Sequence, residues 1–261
     1  LCPDFEGFLL PREMAFSDDE NKVLETINIV ASSFSLIGSI FIIFCYVLFK
    51  DLRTFAFRLV LWVSISDLIY SFANLFGDVA GTNADEETKF PCQLQAIFIS
   101  YFELSSVFWS CAIAFTLHMA IIRDARNSTI SSKQYLYHLL CWGLPLFFTI
   151  LPLLSNSYGD AGGFCWIKDD TKTATAWRFI TFYIPLWMIM IYCGWVYWGV
   201  RQKVSQNMST QRGSMKDRIK YYPLVLVFCW FFASVNRIEQ IFGPDLLWLS
   251  CLHVFFSSLQ G

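Results

Sequence analysis

Residues 29–49 read IVASSFSLIGSIFIIFCYVLF, and the chain then turns abruptly to Lys50-Asp51-Leu52-Arg53. No charge interrupts the run, and a helix of that length covers about 30 Å, the hydrocarbon thickness of a bilayer. The same alternation of long apolar run and short polar stretch continues along the chain. The runs are Ile29–Phe49, Phe55–Val79, Cys92–Ile122, Tyr135–Leu154, Trp177–Val200, Ile219–Phe242 and Leu246–Gly261. They are continuous rather than alternating in the units of about ten residues typical of barrel strands, so helices are expected. The seventh run reaches only about 24 Å. Because the chain starts at Leu1 rather than Met and stops inside that run, the reading expects a fragment, with tails beyond both ends and the seventh helix truncated.

Composition supports this. Of 261 residues, 56% are hydrophobic and 15% charged, against roughly 45–50% and about 25% in a soluble domain. A soluble fold could not cover that apolar surface with so few charges, and disorder is excluded on the same ground. The expected fold is an all-α membrane protein, a seven-transmembrane helix bundle. Residues 1–22 form an extracellular segment in this reading, and 23–261 the bundle.

A net charge of −2 hides an asymmetry. One side of the bundle carries Lys50, Arg53, Arg58, Arg123, Arg126, Lys133, Arg201, Lys203, Arg212, Lys216, Arg218 and Lys220, opposed only by Asp51, Asp124 and Asp217. The other side holds Asp18-Asp19-Glu20 and Asp85-Glu86-Glu87. Basic residues near span ends stay in the cytoplasm. The amino terminus is therefore placed outside, the carboxyl terminus in the cytoplasm, and the chain in the plasma membrane as a multi-pass protein in contact with lipid. Both glycosylation sequons, Asn127-Ser128-Thr129 and Asn207-Met208-Ser209, then fall on the inner side, where no glycan is added.

Among the nine cysteines, Cys45, Cys111, Cys141, Cys193, Cys229 and Cys251 lie in spans and read as small buried hydrophobes. Cys92 opens the third span and Cys165 lies in the loop after the fourth, both on the oxidising side. A bond between them would tie that loop over the bundle mouth, with Cys2 left over. Spacing alone does not establish the pairing.

Local strings resemble a known family. Leu139-Leu140-Cys141-Trp142-Gly143-Leu144-Pro145, Phe164-Cys165-Trp166, Arg178-Phe179 with Tyr183-x-Pro185, and Cys229-Trp230 with Val235-Asn236-Arg237-Ile238 are similar to the slime-mould cyclic AMP receptors. Others resemble the plant-type member: Cys45-Tyr46-Val47-Leu48-Phe49-Lys50-Asp51-Leu52-Arg53, Ala114-Phe115-Thr116-Leu117-His118, Thr181-Phe182-Tyr183-Ile184-Pro185-Leu186-Trp187 and Tyr221-Tyr222-Pro223-Leu224. The resemblance runs from about Ser33 to Gly261 and implies a G-protein-coupled receptor. The pattern departs from the rhodopsin-like group. His118-Met119-Ala120-Ile121-Ile122-Arg123-Asp124 has no acidic-Arg-aromatic triplet, and Trp230-Phe231-Phe232 lacks the following proline. At His253 the plant-type pattern implies an acid instead.

What the resemblance implies is an extracellular small ligand, a heterotrimeric G protein as partner, and no cofactor or metal. For the slime-mould branch the ligand would be a cyclic nucleotide; for the plant branch it is unknown. Charges inside spans are functional candidates by default. Asp67 reads as a polar switch or as a hydrogen-bonded acid tying spans together, and Glu103 as a ligand contact or a buried acid. Arg178 and Arg237, at the mouth, are donors suited to an anion. Lys168 and Lys172 are weaker candidates there. Trp166 could stack a base, and Trp230 reads as a switch or as core. Pro145, Pro152, Pro185 and Pro223 permit kinks. On the inner side Arg123, Arg126, Arg201, Lys216 and Arg218 face an effector or anionic lipid.

Other classes fare worse. No Gly-x-Ser-x-Gly or His-Glu-x-x-His occurs, so no enzyme is expected. His118, His138 and His253 are too scattered for zinc, and the last run has no lysine for a retinal Schiff base. The alternatives are a transporter of a small solute, without visible internal repeats, a structural or chaperone-like membrane protein, and a family member that signals without a G protein.

Overall fold

The computed structural model describes residues 17–80, 89–161, 165–168, 172–206, 222–242 and 246–259. The helices are α1 (Asp18–Leu48), α2 (Phe55–Ala80), α3 (Lys89–Leu117), α4 (Asn127–Ser131), α5 (Gln134–Leu154), α6 (Lys172–Arg178), α7 (Ile184–Gln206), α8 (Tyr222–Phe242) and α9 (Leu247–Ser258). Helix occupies each of the seven expected apolar runs. Five segments are long and apolar enough to cross a membrane: Asp19–Leu48, Phe55–Gly77, Phe90–Ile122, Gln134–Leu154 and Ala176–Lys203. The architecture is an all-α membrane bundle.

Local chemistry explains where the boundaries depart from the apolar runs. Helix α1 starts well before Ile29 because Ser17 and Glu20 form a capping box. The Glu20 N–H donates to the Ser17 hydroxyl at 3.4 Å, and the Glu20 carboxylate accepts from the Ser17 N–H at 2.8 Å. This satisfies donors that the first turn would otherwise leave orphaned. Two helices contain wide π turns. His118–Ile122 extends α3, with the Arg123 N–H donating to the His118 carbonyl at 3.1 Å. Phe179–Tyr183 joins α6 to α7. Pro185 comes one residue after it, past Ile184, and has no N–H to close a regular turn onto Thr181.

An apolar core holds the helices together, with small polar side chains where helices meet and large apolar ones on the outer face, as expected where lipid is the solvent. Ser32, Ser35 and Ser39 on α1, Ser64, Ser66 and Ser71 on α2, and Ser105, Ser106 and Ser110 on α3 are buried. Ser71 donates to the Ser35 hydroxyl at 2.8 Å. Small side chains let these helices approach closely. At Gly77 the buried Gln95 amide of α3 lies where a Cβ would stand, 1.8 Å from it. Phe34, Ile37, Phe41 and Phe44 of α1 face outward. Helix α3 runs through the middle, against α2, α5, α7 and α8. Its fully buried Trp109 meets Trp62 of α2 and His138 and Trp142 of α5, with ring centroids 5.9, 5.1 and 5.8 Å away.

Between α5 and α6 lies a short antiparallel hairpin, β1 (Tyr158–Asp160) and β2 (Cys165–Ile167), in which Gly159 pairs with Trp166. Cys165 is disulfide-bonded to Cys92 of α3, as expected from their placement, with Cα atoms 5.3 Å apart. The hairpin is buried against the helices, and Cys165, Trp166 and Ile167 are all inaccessible.

Candidate functional site

Beneath the hairpin is a cavity of about 160 Å³. Helix α1 contributes Asn21, Leu24, Glu25 and Asn28 to its wall, α2 Tyr70 and Asn74, and α3 Ile99 and Glu103. Trp166 comes from β2, Phe182 and Tyr183 from the π turn before α7, Trp230 and Arg237 from α8, and His253, Val254, Ser257 and Ser258 from α9. The structure therefore brings Glu103, Trp166, Trp230 and Arg237 to one space, although they lie far apart in sequence.

On one side Glu103 accepts a hydrogen bond from the Tyr70 hydroxyl. Tyr70 also faces Asn74 and Ser258, and Ser258 donates to the Asn28 carbonyl oxygen at 2.7 Å. Across the space, the Arg237 guanidinium lies 5.1 Å over the Tyr183 ring. Its Nε is buried without a hydrogen-bond partner, and among the described residues no carboxylate pairs with it. Next to it the Asn236 amide donates to His253 Nδ1 at 3.1 Å, while Ser250 donates to the Asn236 carbonyl oxygen at 3.3 Å. With the Asn236 amide in this orientation, Nδ1 is the acceptor and the imidazole carries its proton on Nε2. The Trp230 ring leans on Phe182 at 5.2 Å.

Two candidates lie outside this wall. Asp67 is buried between α2 and α3 with Ser106 as its hydrogen-bond partner. Arg178, also buried, turns behind the hairpin. The Ile167 carbonyl accepts from both its Nε, at 2.9 Å, and its Nη2, and the guanidinium lies 5.2 Å over the Trp166 ring. Its geometry is that of a strut for β2. A second strut is Tyr158, whose hydroxyl donates to the Thr149 carbonyl of α5 at 3.0 Å. Burial pushes that phenol up to about 12, so it stays protonated and donating at neutral pH. Lys168 is half-buried beside the hairpin, and its N–H donates to the Ser157 carbonyl at 2.9 Å. The Lys172 side chain lies outside the described residues.

A charged cavity under a disulfide-tied hairpin in a helical membrane bundle is a receptor-like arrangement, and sequence comparison agrees with it. The profile of the slime mold cyclic AMP receptor family matches residues 15–261. The chain belongs to that family. It is 32% identical over 258 residues to G-protein coupled receptor 1 of Arabidopsis thaliana, covering 93% of this chain and 76% of the relative. Identity to cyclic AMP receptor-like protein A of Dictyostelium discoideum is 28% over 235 residues, covering 90% and 60%. G-protein coupled receptor 157 of Mus musculus is 31% identical over 263 residues, covering 89% and 77%. The chain is thus a cyclic-AMP-receptor-like member of the G-protein-coupled receptors, and these relatives extend beyond the stretch it matches.

At the end of the receptor away from the disulfide, Arg123, Arg126 and Arg201 are exposed. Lys216 and Arg218 lie outside the described residues. Lys203 of α7 reaches across to the end of α3, donating to the Ile122 carbonyl at 3.0 Å and pairing with Asp124. His118 meets the Tyr192 hydroxyl of α7 at 3.1 Å. A second cavity of about 710 Å³ opens here between α3, α4, α5 and α7, walled almost wholly by apolar side chains such as Phe108, Phe115, Leu136 and Leu140.

Sequence reasoning passed over Tyr70, Asn74, Asn28 and Glu25. One signal was available: Asp67, Tyr70 and Asn74 recur at the spacing of three and four that defines one face of a helix. Asn21, Glu25 and Asn28 share the same spacing of four and three, but they lie in the turns that precede the apolar run of α1, outside the stretch read as a span.

Proposed function

We propose that this receptor takes a small extracellular ligand in the cavity beneath the hairpin and passes the event to a heterotrimeric G protein at the basic end. The observation that carries this reading is Arg237: a half-buried guanidinium lining the cavity, its Nε without a hydrogen-bond partner and no carboxylate paired with it among the described residues. A guanidinium nitrogen buried without an acceptor is costly unless something binds it. The disulfide end then faces the oxidising exterior, and Arg123, Arg126 and Arg201 face the cytoplasm. A glycan on Asn127 would overturn that orientation.

Helix α7 supplies a route between the ends. Its preceding π turn places Phe182 and Tyr183 in the cavity wall, and its far end holds α3 through Tyr192 and Lys203. A ligand that binds more tightly to one α3–α7 packing shifts the population toward it, and by no more than that difference in affinity.

The test is nucleotide exchange on co-expressed G-protein α subunits, with extracts and defined small molecules applied to the receptor in lipid. Stimulated exchange that is lost at least tenfold in Arg237→Gln, with surface expression unchanged, is expected. Stimulation that survives Arg237→Gln in full would move the ligand elsewhere, and no exchange on any α subunit would count against G-protein coupling.

A further inference from the structure

The large apolar cavity at the basic end has no part in the ligand reading above, and its wall indicates what fills it. Helix α3 lines it from Phe108 to His118. That is a rise of about 15 Å, half the hydrocarbon thickness of a bilayer, and so the depth of one leaflet. Leu136, Leu140 and Leu144 of α5 line the facing side, and like Phe115 of α3 they are exposed on the outer surface of the bundle. The cavity is therefore a groove open to the surrounding hydrocarbon, with buried Ala112 and Cys141 at its floor.

The polar atoms along the groove are already used. His118 Nδ1 meets the Tyr192 hydroxyl at 3.1 Å, the Tyr137 hydroxyl lies 3.3 Å from that of Thr116, and Cys141 Sγ donates to the Phe108 carbonyl at 3.5 Å. Water would find few partners there, whereas a hydrocarbon chain restores the dispersion contacts that an empty groove forfeits. The inner end differs. Lys133, just before α5, lines the cavity there, exposed and with no carboxylate paired to it among the described residues. From α2, Arg58 donates to the side chain of Gln134, the next residue, at 2.9 Å, and Arg126 precedes α4. The acid of this turn, Asp124, is taken by Lys203. A chain in the groove thus ends beside an unpaired cation, at the membrane face where basic residues meet anionic headgroups.

We propose that this groove is a binding site for an anionic phospholipid, with one acyl chain lying between α3 and α5 and the headgroup held by Lys133. The chain lies against His118 and Tyr192, whose bond joins α3 to α7, so the lipid favours the packing in which the groove exists.

The experiment uses the full receptor in nanodiscs of phosphatidylcholine, with a trace of phosphatidylserine or phosphatidylcholine bearing a diazirine on one acyl chain. After irradiation, labelled peptides are mapped by mass spectrometry. The outward face of α1, with Phe34, Phe41 and Phe44 exposed, reports ordinary contact with surrounding lipid. Phosphatidylserine is expected to label the segments 108–119 and 136–144 about fivefold more than phosphatidylcholine does, roughly what one cation near the surface contributes, and to show no such preference on α1. Lys133→Gln, at an exposed position and so safe for folding, should remove the preference, and Lys133→Arg should keep it. Ala112→Phe, which fills the floor, should lower labelling of the groove by both lipids while that of α1 is unchanged. Equal labelling by the two lipids, a preference indifferent to Lys133→Gln, or groove labelling no greater than that of α1 would each overturn the proposal. Displacement of the label by cholesterol but not by unlabelled phosphatidylserine would overturn it in favour of a sterol.

Discussion

The two ends of the bundle are closed by different means. At the disulfide end a covalent bond, the paired hydrogen bonds of Arg178 to Ile167 and the Tyr158–Thr149 bond all hold the same short hairpin. The cavity below is about 160 Å³ and charged. At the other end the polar ties between α3 and α7 among the described residues are the His118–Tyr192 bond and one partly exposed lysine, Lys203, and the neighbouring cavity is about 710 Å³ and apolar. Polar side chains recognise a ligand only when their positions are over-determined, because a displacement of about 1 Å is enough to cost much of the gain. An end that must change its packing needs the opposite: few ties, each weak.

That contrast can be broken most directly at the disulfide. Cys165→Ser opens a loop spanning 73 residues, for which chain entropy alone predicts a loss of about 4 kcal/mol, less where the unfolded helices stay inserted in lipid. The thermal midpoint in nanodiscs should fall more than for any other change considered below, with ligand response lost as the hairpin shifts. A midpoint within a degree of wild type would mean the remaining struts suffice. Next in size is Arg178→Leu. It leaves the Ile167 carbonyl buried without a donor, at a cost of about 2–3 kcal/mol, and amide exchange across the Gly159–Trp166 pair should speed up accordingly. Arg178→Lys keeps the charge but cannot fork onto one carbonyl through two nitrogens, so only partial recovery is expected. Full recovery would show that charge alone mattered.

These struts also mark the limit of what the sequence discloses. Apolar runs place the helices, and two cysteines at the end of the spans that the basic residues avoid anticipate the disulfide, because both features are one-dimensional. Arg178 and Arg237 look alike in sequence, each an arginine near the mouth. What separates them is the carbonyl at the end of β2, Ile167, that meets one guanidinium and not the other. Backbone acceptors carry no residue signature, so this difference is visible only in three dimensions. The same holds for Lys203, whose partners Ile122 and Asp124 lie about eighty residues away. Glu103 and Asp67 were legible as acids in apolar spans, but their separation into one that lines the cavity and one that lies between helices depends on the rotation of α2 against α3.

The smallest predicted effect sharpens the comparison most. Lys203 has 32% of its side chain exposed and Asp124 has 76%, so solvent and salt screen the pair, and Lys203→Met should cost about 1 kcal/mol or less. The thermal midpoint is then nearly unchanged. Yet the lysine also holds the Ile122 carbonyl, the last of the π turn that ends α3, so its loss removes a tie specific to one arrangement of α3 and α7. A bias of about 1 kcal/mol changes a two-state population roughly fivefold. Basal nucleotide exchange should therefore rise by up to that factor while stability scarcely moves, the reverse of the pattern for Cys165→Ser. A fall of several degrees with no change in basal exchange would mean that this end is held as firmly as the other, and the proposed division between a fixed end and a yielding one would not survive.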